Sequence, residues 1–306
     1  MIEAEDVGTV CVVGAGAIGI SWTALLLALD RQVVVTDPAA DAESNLRTGL
    51  QGLGVADPGP GLRFGTDLPT AAAEADLVIE SGPERLDVKR EIFGVLGDAC
   101  GPDVLLASSS SGLLPSSFQE ASRHPERVLV AHPFNPPHLI PLVEVVGGRR
   151  TSQEALESAM TTMRHWGRRP IRVRGELPGH VVNRLQAALW REAYHLVDQG
   201  VATVSDIDRA IASGPGLRWA LLGPFATQHL SGGPGGLEHV LQHLGPPMVE
   251  WWDDLGNSPE LTTELVTALV EGVREELAGV SEEDLSARRN QALRELIDLK
   301  SRSGLD

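Results

Sequence analysis

Two groups of residues in this chain have the types and spacing to do chemistry. The first is Gly14-Ala-Gly16-Ala17-Ile18-Gly19, a GxGxxG spacing that follows a β-branched run at residues 9–13 and opens an apolar stretch at residues 20–29. Strand, glycine turn and helix in that order suit a diphosphate. Gly14 permits the tight turn, Gly16 the close approach of phosphate to backbone, and Gly19 the close packing of helix on sheet. The free N–H groups and positive dipole at the helix start then attract the anion. A second run, residues 33–36, ends at Asp37, 23 residues beyond Gly14, where a carboxylate can accept from both hydroxyls of an adenine ribose. A 2′-phosphate would meet that carboxylate, and residues 38–42 hold no arginine to offset it, so the pattern favours NAD(H) over NADP(H). FAD-binding chains open in the same way, so the glycines alone do not name the cofactor.

The second group is spread over three segments: the run Ser108-Ser-Ser-Ser111-Gly112, His132-Pro-Phe-Asn-Pro-Pro137, and Leu142-Val-Glu144. His132 follows an apolar run at residues 128–130, so it is expected at a strand end, where open α/β sheets bind ligands. Glu144 interrupts the apolar strand at residues 141–146, and a carboxylate in such a place needs a specific partner. Brought together by neighbouring strands, the two would form an acid/base dyad in which the carboxylate fixes the imidazole tautomer. On the residues alone a structural histidine is an equal reading, and Glu144 could be a buried salt-bridge partner. The remaining histidines, including His239 and His243 four apart, match no metal-ligand spacing with a carboxylate, so no metal is expected.

These residues need a scaffold, and the hydrophobic pattern supplies one. Apolar runs at residues 9–13, 33–36, 77–79, 104–106 and 128–130 alternate with helical stretches such as residues 86–96, which predicts a parallel, Rossmann-type doubly wound α/β sheet. Runs at 142–146 and 171–173 complete it. Beyond Gly179 the texture becomes helical, with amphipathic stretches at 180–197, 205–212, 260–276 and 282–301, the last opened by a Ser281 capping box. Residues 232–236 and Pro246-Pro247 read as loops; Trp190, Trp219, Trp251 and Trp252 could shape a substrate pocket, but aromatics at helical spacing are more often core, which is the expectation here. Two domains are therefore expected: an NAD-binding domain at 1–179 holding His132 and Glu144, and an all-helical substrate and dimerisation domain at 180–306.

With 306 residues, 42% of them apolar, the chain can bury a generous core. A net charge of −17 argues against nucleic acid or an anionic membrane surface as partner. No segment reads as a membrane span or a signal peptide. Two cysteines make no disulfide framework, so a cytoplasmic location is expected.

Residues 13–19, Ala75-Asp-Leu-Val-Ile-Glu80, Leu86-Asp-Val-Lys-Arg-Glu91, the serine run, residues 132–137, residues 141–146 and Gly179-His-Val-Val-Asn-Arg184 together resemble, in order and spacing, the L-3-hydroxyacyl-CoA dehydrogenase family. The resemblance spans essentially the whole chain. It implies that His132 is the acid/base, paired with Glu144, and that Ser111 and Asn183 hydrogen-bond the reacting oxygen. It also implies that Glu84 and Lys89 line the nicotinamide side of NAD; Lys89 is one of only two lysines. Ser109 stands where acyl-CoA members often carry asparagine. The stretches His132-Pro133-Phe134 and Gly214-Pro-Gly-Leu-Arg-Trp-Ala220 are more similar to the branch acting on small free acids, the gulonate (with lambda-crystallin) and carnitine dehydrogenases. In that light Arg218 is a candidate clamp for a substrate anion, across the interface of a homodimer, against the reading of an ordinary interface or surface arginine. The expected activity is NAD-dependent interconversion of a 3-hydroxyl and a ketone on a small anionic hydroxy or keto acid. A 3-hydroxyacyl-CoA dehydrogenase is the alternative enzyme, and a non-catalytic NAD-binding structural protein the alternative of another kind.

Overall fold

The run ahead of the glycines forms β1 (Thr9–Val13), the stretch after them α1 (Ala17–Ala28), and the chain returns through β2 (Gln32–Thr36). The computed structural model describes residue 1, residues 3–255 and residues 258–305. Its chain falls into two compact units, Met1–Arg184 and Leu185–Asp306.

The first unit continues through α2 (Ala42–Gly52), β3 (Leu62–Gly65), α3 (Leu68–Ala72), β4 (Leu77–Glu80), α4 (Leu86–Ala99) and β5 (Leu105–Ser108). It closes with β6 (Val128–Pro133), β7 (Leu142–Gly147), α5 (Gln153–His165) and β8 (Arg169–Val173). All eight strands join one sheet in the order β3-β2-β1-β4-β5-β6-β7-β8. The strands from β3 to β6 pair in parallel, β7 runs antiparallel to β6, and β8 is parallel to β7. Apolar layers cover both faces, which is why the strands read as continuous apolar runs. Val10 and Val12 point into the layer with Trp22, Leu46 and Trp166, whereas Cys11 and Val13 point into the layer with Phe93, Leu96 and Phe118. The strand order reverses between β1 and β4, a switch point of the kind that opens a ligand crevice at the strands' carboxyl ends.

One buried cation holds this unit's connections. Arg127, 1% exposed, donates to the carbonyls of Gly97, Cys100, Gly101 and Val104, so it satisfies the chain end that follows α4.

α6 (Val182–Asp198) leads into the second unit, which continues through α7 (Val204–Ser213), α8 (Pro215–Leu221) and α9 (Pro224–Ser231). It ends with α10 (Gly236–Asp254), α11 (Thr263–Glu276) and α12 (Glu282–Arg302), and Ser281 caps α12 by accepting from the Asp284 N–H at 3.0 Å.

Two expectations are corrected and one element is added. Pro246 and Pro247 lie inside α10 instead of a loop. They leave the carbonyls four residues earlier, at Gln242 and His243, without helical donors, a cost the hydrophobic pattern around them did not reveal. The edge strand β3 was not foreseen, since Leu62-Arg-Phe-Gly65 is too short to show alternation. The four tryptophans are not core: Trp190, Trp219, Trp251 and Trp252 are 47%, 43%, 59% and 58% exposed.

Candidate active site

The glycine turn joins β1 to α1 at the switch point. Gly14 has φ +103°, and a Cβ there would come within 2.7 Å of the Ser81 carbonyl oxygen. A Cβ at Gly19 would collide with the Gly14 carbonyl, so helix and strand meet this closely only because Gly19 lacks one. At Gly16 a Cβ would point into open space, the side from which a diphosphate can reach the backbone, so the cradle suits the group its spacing implies. Asp37 accepts from the Ala15 and Ala39 N–H groups at 2.9 Å each, which locks its carboxylate beside the turn. Gly14, Asp37, Leu68, Val88 and Ile92 are among the walls of one cavity of about 460 Å³, whose polar side chains are Asp37, Glu91, Thr36 and Thr66 and whose other walls are apolar or glycine, a lining that suits an adenosine.

The dyad is built by register. β6 and β7 pair antiparallel with His132 directly opposite Glu144, which sets the two side chains on one face of the sheet. His132 Nδ1 and Glu144 Oε2 are 2.9 Å apart, and the side chains are 7% and 0% exposed. The other carboxylate oxygen, Oε1, accepts from Val181 N–H at 2.9 Å and Val182 N–H at 3.1 Å. Burial alone would push the Glu144 carboxyl up. The bonds from His132, Val181 and Val182 and the His132 charge outweigh it and hold the carboxyl below its ordinary range. Glu144 is thus an anion whose Oε2 requires a proton on Nδ1, leaving His132 Nε2 as the nitrogen that can take one.

Around the dyad, Asn183 at the start of α6 donates its Nδ2 to the Ser111 carbonyl at 3.1 Å, so the serine loop and α6 meet. The Asn183 amide keeps a second N–H, and the exposed Ser111 hydroxyl makes no hydrogen bond among the described residues. Glu84 Oε1 accepts from Ser110 Oγ at 2.7 Å, Gly112 N–H at 2.9 Å and Leu113 N–H at 3.2 Å. Burial raises its carboxyl, but these bonds and the Lys89 ammonium together hold it below the usual value.

Two residues of the site, Glu80 and His180, were not singled out by sequence, and two that were, Lys89 and Ser109, take partners the sequence did not show. Glu80, at the end of β4 and fully buried, pairs with Lys89 Nζ at 2.8 Å and accepts from Ser108 Oγ at 2.6 Å. Lys89 also donates to the Gly82 carbonyl at 3.2 Å, and its ammonium lies 3.8 Å from Glu84. A glutamate ending the apolar run 77–79 is the same signal that marked Glu144. Ser109 Oγ is bonded to Ser81 Oγ at 3.0 Å and to the Trp22 indole N–H at 3.3 Å. His180 is the largest omission: fully buried, at φ +51°, its ring centroid lies 5.6 Å from that of His132, and its Nε2 meets the Ser110 carbonyl at 3.2 Å. Burial, reinforced by the nearby His132, pulls its basicity down against the opposing pull of Ser110, Glu144 and Glu84. Arg218 stands apart from these residues in sequence, on α8 of the second unit.

Residues 9–176 match the model of the 3-hydroxyacyl-CoA dehydrogenase NAD binding domain, and residues 179–298 that of the 3-hydroxyacyl-CoA dehydrogenase C-terminal domain. The chain belongs to the 3-hydroxyacyl-CoA dehydrogenase family. An L-carnitine dehydrogenase of Nocardiopsis dassonvillei is 46% identical over 298 residues, 94% of this chain and 90% of that one. A 3-hydroxyacyl-CoA dehydrogenase of Gibberella moniliformis is 42% identical over 310 residues, covering 97% and 96% of the two chains. The solved structure of 5-formyl-3-hydroxy-2-methylpyridine 4-carboxylic acid 5-dehydrogenase, an NAD⁺-dependent dismutase, superposes with a TM-score of 0.79 at 28% identity, covering 96% of this chain and 97% of that one. This family member is accordingly an NAD-dependent dehydrogenase acting on CH–OH groups. Among the described residues no helix is long and apolar enough to cross a membrane, and no group of three or more His, Cys, Asp or Glu could hold a metal ion.

Proposed function

We propose that the substrate is a small anionic 3-hydroxy acid, and that His132 is the acid/base of its oxidation. The observation that carries this reading is the cross-strand His132–Glu144 pair, whose tautomer leaves Nε2 free to accept a proton. In oxidation, His132 Nε2 takes the hydroxyl proton, and Glu144 stabilises the imidazolium so formed. The free Ser111 hydroxyl and the second Asn183 N–H hold the oxygen as it becomes a carbonyl. NAD, when bound in the glycine cradle with its ribose at Asp37, supplies the hydride acceptor. Glu84 and Lys89 shape the nicotinamide side, Glu84 by bracing the serine loop through Ser110, Gly112 and Leu113. Arg218 binds the substrate's anionic end.

Carnitine, named for several relatives, carries a 3-hydroxyl and a carboxylate beside a quaternary ammonium, which supports a small 3-hydroxy substrate bearing a carboxylate. The Gibberella relative's name keeps a hydroxyacyl-CoA thioester as the competing substrate. We infer also a homodimer formed through the helical unit, in a reducing cytoplasm. Val266, Val270 and Val273, at helical spacing on α11, stay 44%, 44% and 43% exposed, an apolar stripe that a second copy would cover. Cys11 and Cys100 are free and buried, which suits such a compartment. NADH appearance at 340 nm with carnitine and other short 3-hydroxy acids, beside 3-hydroxybutyryl-CoA, tests the substrate. Turnover of the thioester alone would reject the free-acid reading, and sedimentation at a monomer's mass would reject the dimer.

A further inference from the structure

The turn before α6 has two consecutive left-handed residues. Gly179 has φ +75° and His180 φ +51°, and the His180 N–H donates to the Leu177 carbonyl at 2.9 Å. Glycine adopts that conformation at no steric cost, but a residue with a Cβ is held there only by its surroundings. The next two N–H groups of the chain, those of Val181 and Val182, are the ones that fix Glu144. The imidazole itself is fully buried, and its Nε2 reaches the Ser110 carbonyl at 3.2 Å. A carbonyl only accepts, so the proton sits on Nε2. Nδ1, also buried, has no hydrogen-bond partner among the described residues. A second proton there would be a buried N–H facing no acceptor, so the ring stays neutral. With Nε2 committed and Nδ1 buried, His180 can neither take the substrate's proton nor touch a ligand. What it does for the reaction, it does through Ser110.

Ser110 is tied elsewhere by its own surroundings: its N–H donates to Ser108 Oγ at 3.2 Å, and its hydroxyl to Glu84 Oε1 at 2.7 Å. Its carbonyl belongs to the peptide plane that leads into Ser111, and His180 bonds that carbonyl. Asn183 bonds the Ser111 carbonyl, on the next plane, at 3.1 Å. The two planes that flank Ser111 are therefore each fixed by one side chain from the start of α6 or the turn before it. All of these residues belong to the first unit. We infer that the His180 side chain is a positioning residue, whose Nε2–H orients the Ser110–Ser111 peptide so that the Ser111 hydroxyl meets the reacting oxygen. This rests on the role given above to Ser111, and adds the residue that aims it. A phenylalanine would fill the same space without orphaning a ring nitrogen, so packing alone gives no reason for a histidine here; the bond to Ser110 does.

The test is a double-mutant cycle between His180→Phe and Ser111→Ala in the full-length protein, beside His180→Gln, whose side-chain amide keeps a donor where Nε2 stood. Turnover is read with whichever of carnitine and 3-hydroxybutyryl-CoA the parent oxidises. Hydrogen exchange reads the Gly112 and Leu113 N–H groups, which now donate to Glu84. His180→Phe should lower kcat about 10-fold, leave KM and NADH affinity within about twofold, and speed exchange at both amides about 10-fold. His180→Gln should stay within about threefold of the parent in kcat and exchange. Ser111→Ala alone should lower kcat about 10²-fold, and adding His180→Phe should lower it by less than about twofold more, because the hydroxyl being aimed is gone. His180→Met replaces the phenylalanine variant if that one does not fold. Unchanged exchange and kcat in His180→Phe would overturn the inference, as would a His180→Gln variant as impaired as His180→Phe. The same loss on adding His180→Phe to Ser111→Ala as to the parent would also overturn it, since His180 would then act elsewhere. Full turnover in Ser111→Ala alone would reject the role of Ser111 first, and the inference with it.

Discussion

Replacing Glu144 with glutamine removes one charge and almost no volume, so it isolates what the carboxylate does for His132. Oε1 accepts two backbone N–H bonds from Val181 and Val182, and Oε2 faces His132 Nδ1 at 2.9 Å. To keep the two backbone bonds, the glutamine oxygen must occupy the Oε1 position, and its NH₂ then donates to Nδ1. That orientation moves the imidazole proton to Nε2, where it blocks proton acceptance. The flipped amide would set NH₂ against two N–H donors, at about 1–3 kcal/mol for each donor left unsatisfied, so the first orientation wins. The variant also lacks the counter-charge of the imidazolium. At about 4 Å and an effective dielectric near 20 that charge is worth about 4 kcal/mol, or roughly 10³ in rate. Turnover of Glu144→Gln should fall by about 10²–10⁴, with NADH affinity unchanged. Single-turnover NADH formation across pH, beside a fluorescence titration of NADH, reads both quantities. A variant within threefold of the parent rate, with the same pH profile, would reduce Glu144 to a structural role.

Asp37→Ser should weaken NADH binding and narrow its advantage over NADPH, because the ribose acceptor and the repulsive charge leave together; fluorescence titrations with both cofactors measure this, and a parent protein that prefers NADPH would contradict it. Arg127→Met should orphan the carbonyls that Arg127 now satisfies and cost about 3 kcal/mol, roughly 6–12 °C in Tm for a unit of this size; calorimetry reads the shift, and an unchanged Tm would refute the clamp. Stability should fall with acid in two stages. The folded-state pKa of His180 is lowered by burial, so the unfolded chain protonates first as pH drops through the ordinary histidine range. Glu144 and Glu84 also have lowered folded values, so their contribution is complete above the ordinary carboxylate range and is lost as pH falls through those values. Thermal melts across pH should therefore show His180→Phe losing the upper stage and keeping the lower one; an unaltered upper stage would exclude His180 as its source.

Local patterns were the readable part of this chain. The glycine turn and Asp37 could be placed because strand, turn, helix and strand follow each other within forty residues, and each glycine answers a steric demand visible in the spacing. His132 and Glu144 stood out as polar residues in apolar runs, but the antiparallel register that opposes them depends on the path of residues 134–141. Glu80 carried the same mark as Glu144 and was passed over, since its partners Lys89 and Ser108 lie 9 and 28 residues away. His180 gave weaker signals, a glycine before it and Asn183 after it. Its neighbours Ser110 and His132 become visible only in three dimensions. In the helical unit, Pro246-Pro247 looked like a breaker because local propensity outvoted the apolar residues on either side. The four tryptophans misled for the converse reason: helical spacing marks an apolar face without saying whether the chain itself covers it.

His132→Gln bears most directly on the central claim, that this NAD-dependent dehydrogenase uses His132 as its acid/base. The variant should bind NADH as the parent does, since the nucleotide cradle is formed by other residues, and should turn over its best hydroxy acid about 10²–10⁴-fold more slowly. NADH titrated by fluorescence and NADH formed in a single turnover give the two numbers from one preparation. Unimpaired NADH binding with that loss of rate is the predicted result; near-parental turnover would contradict it.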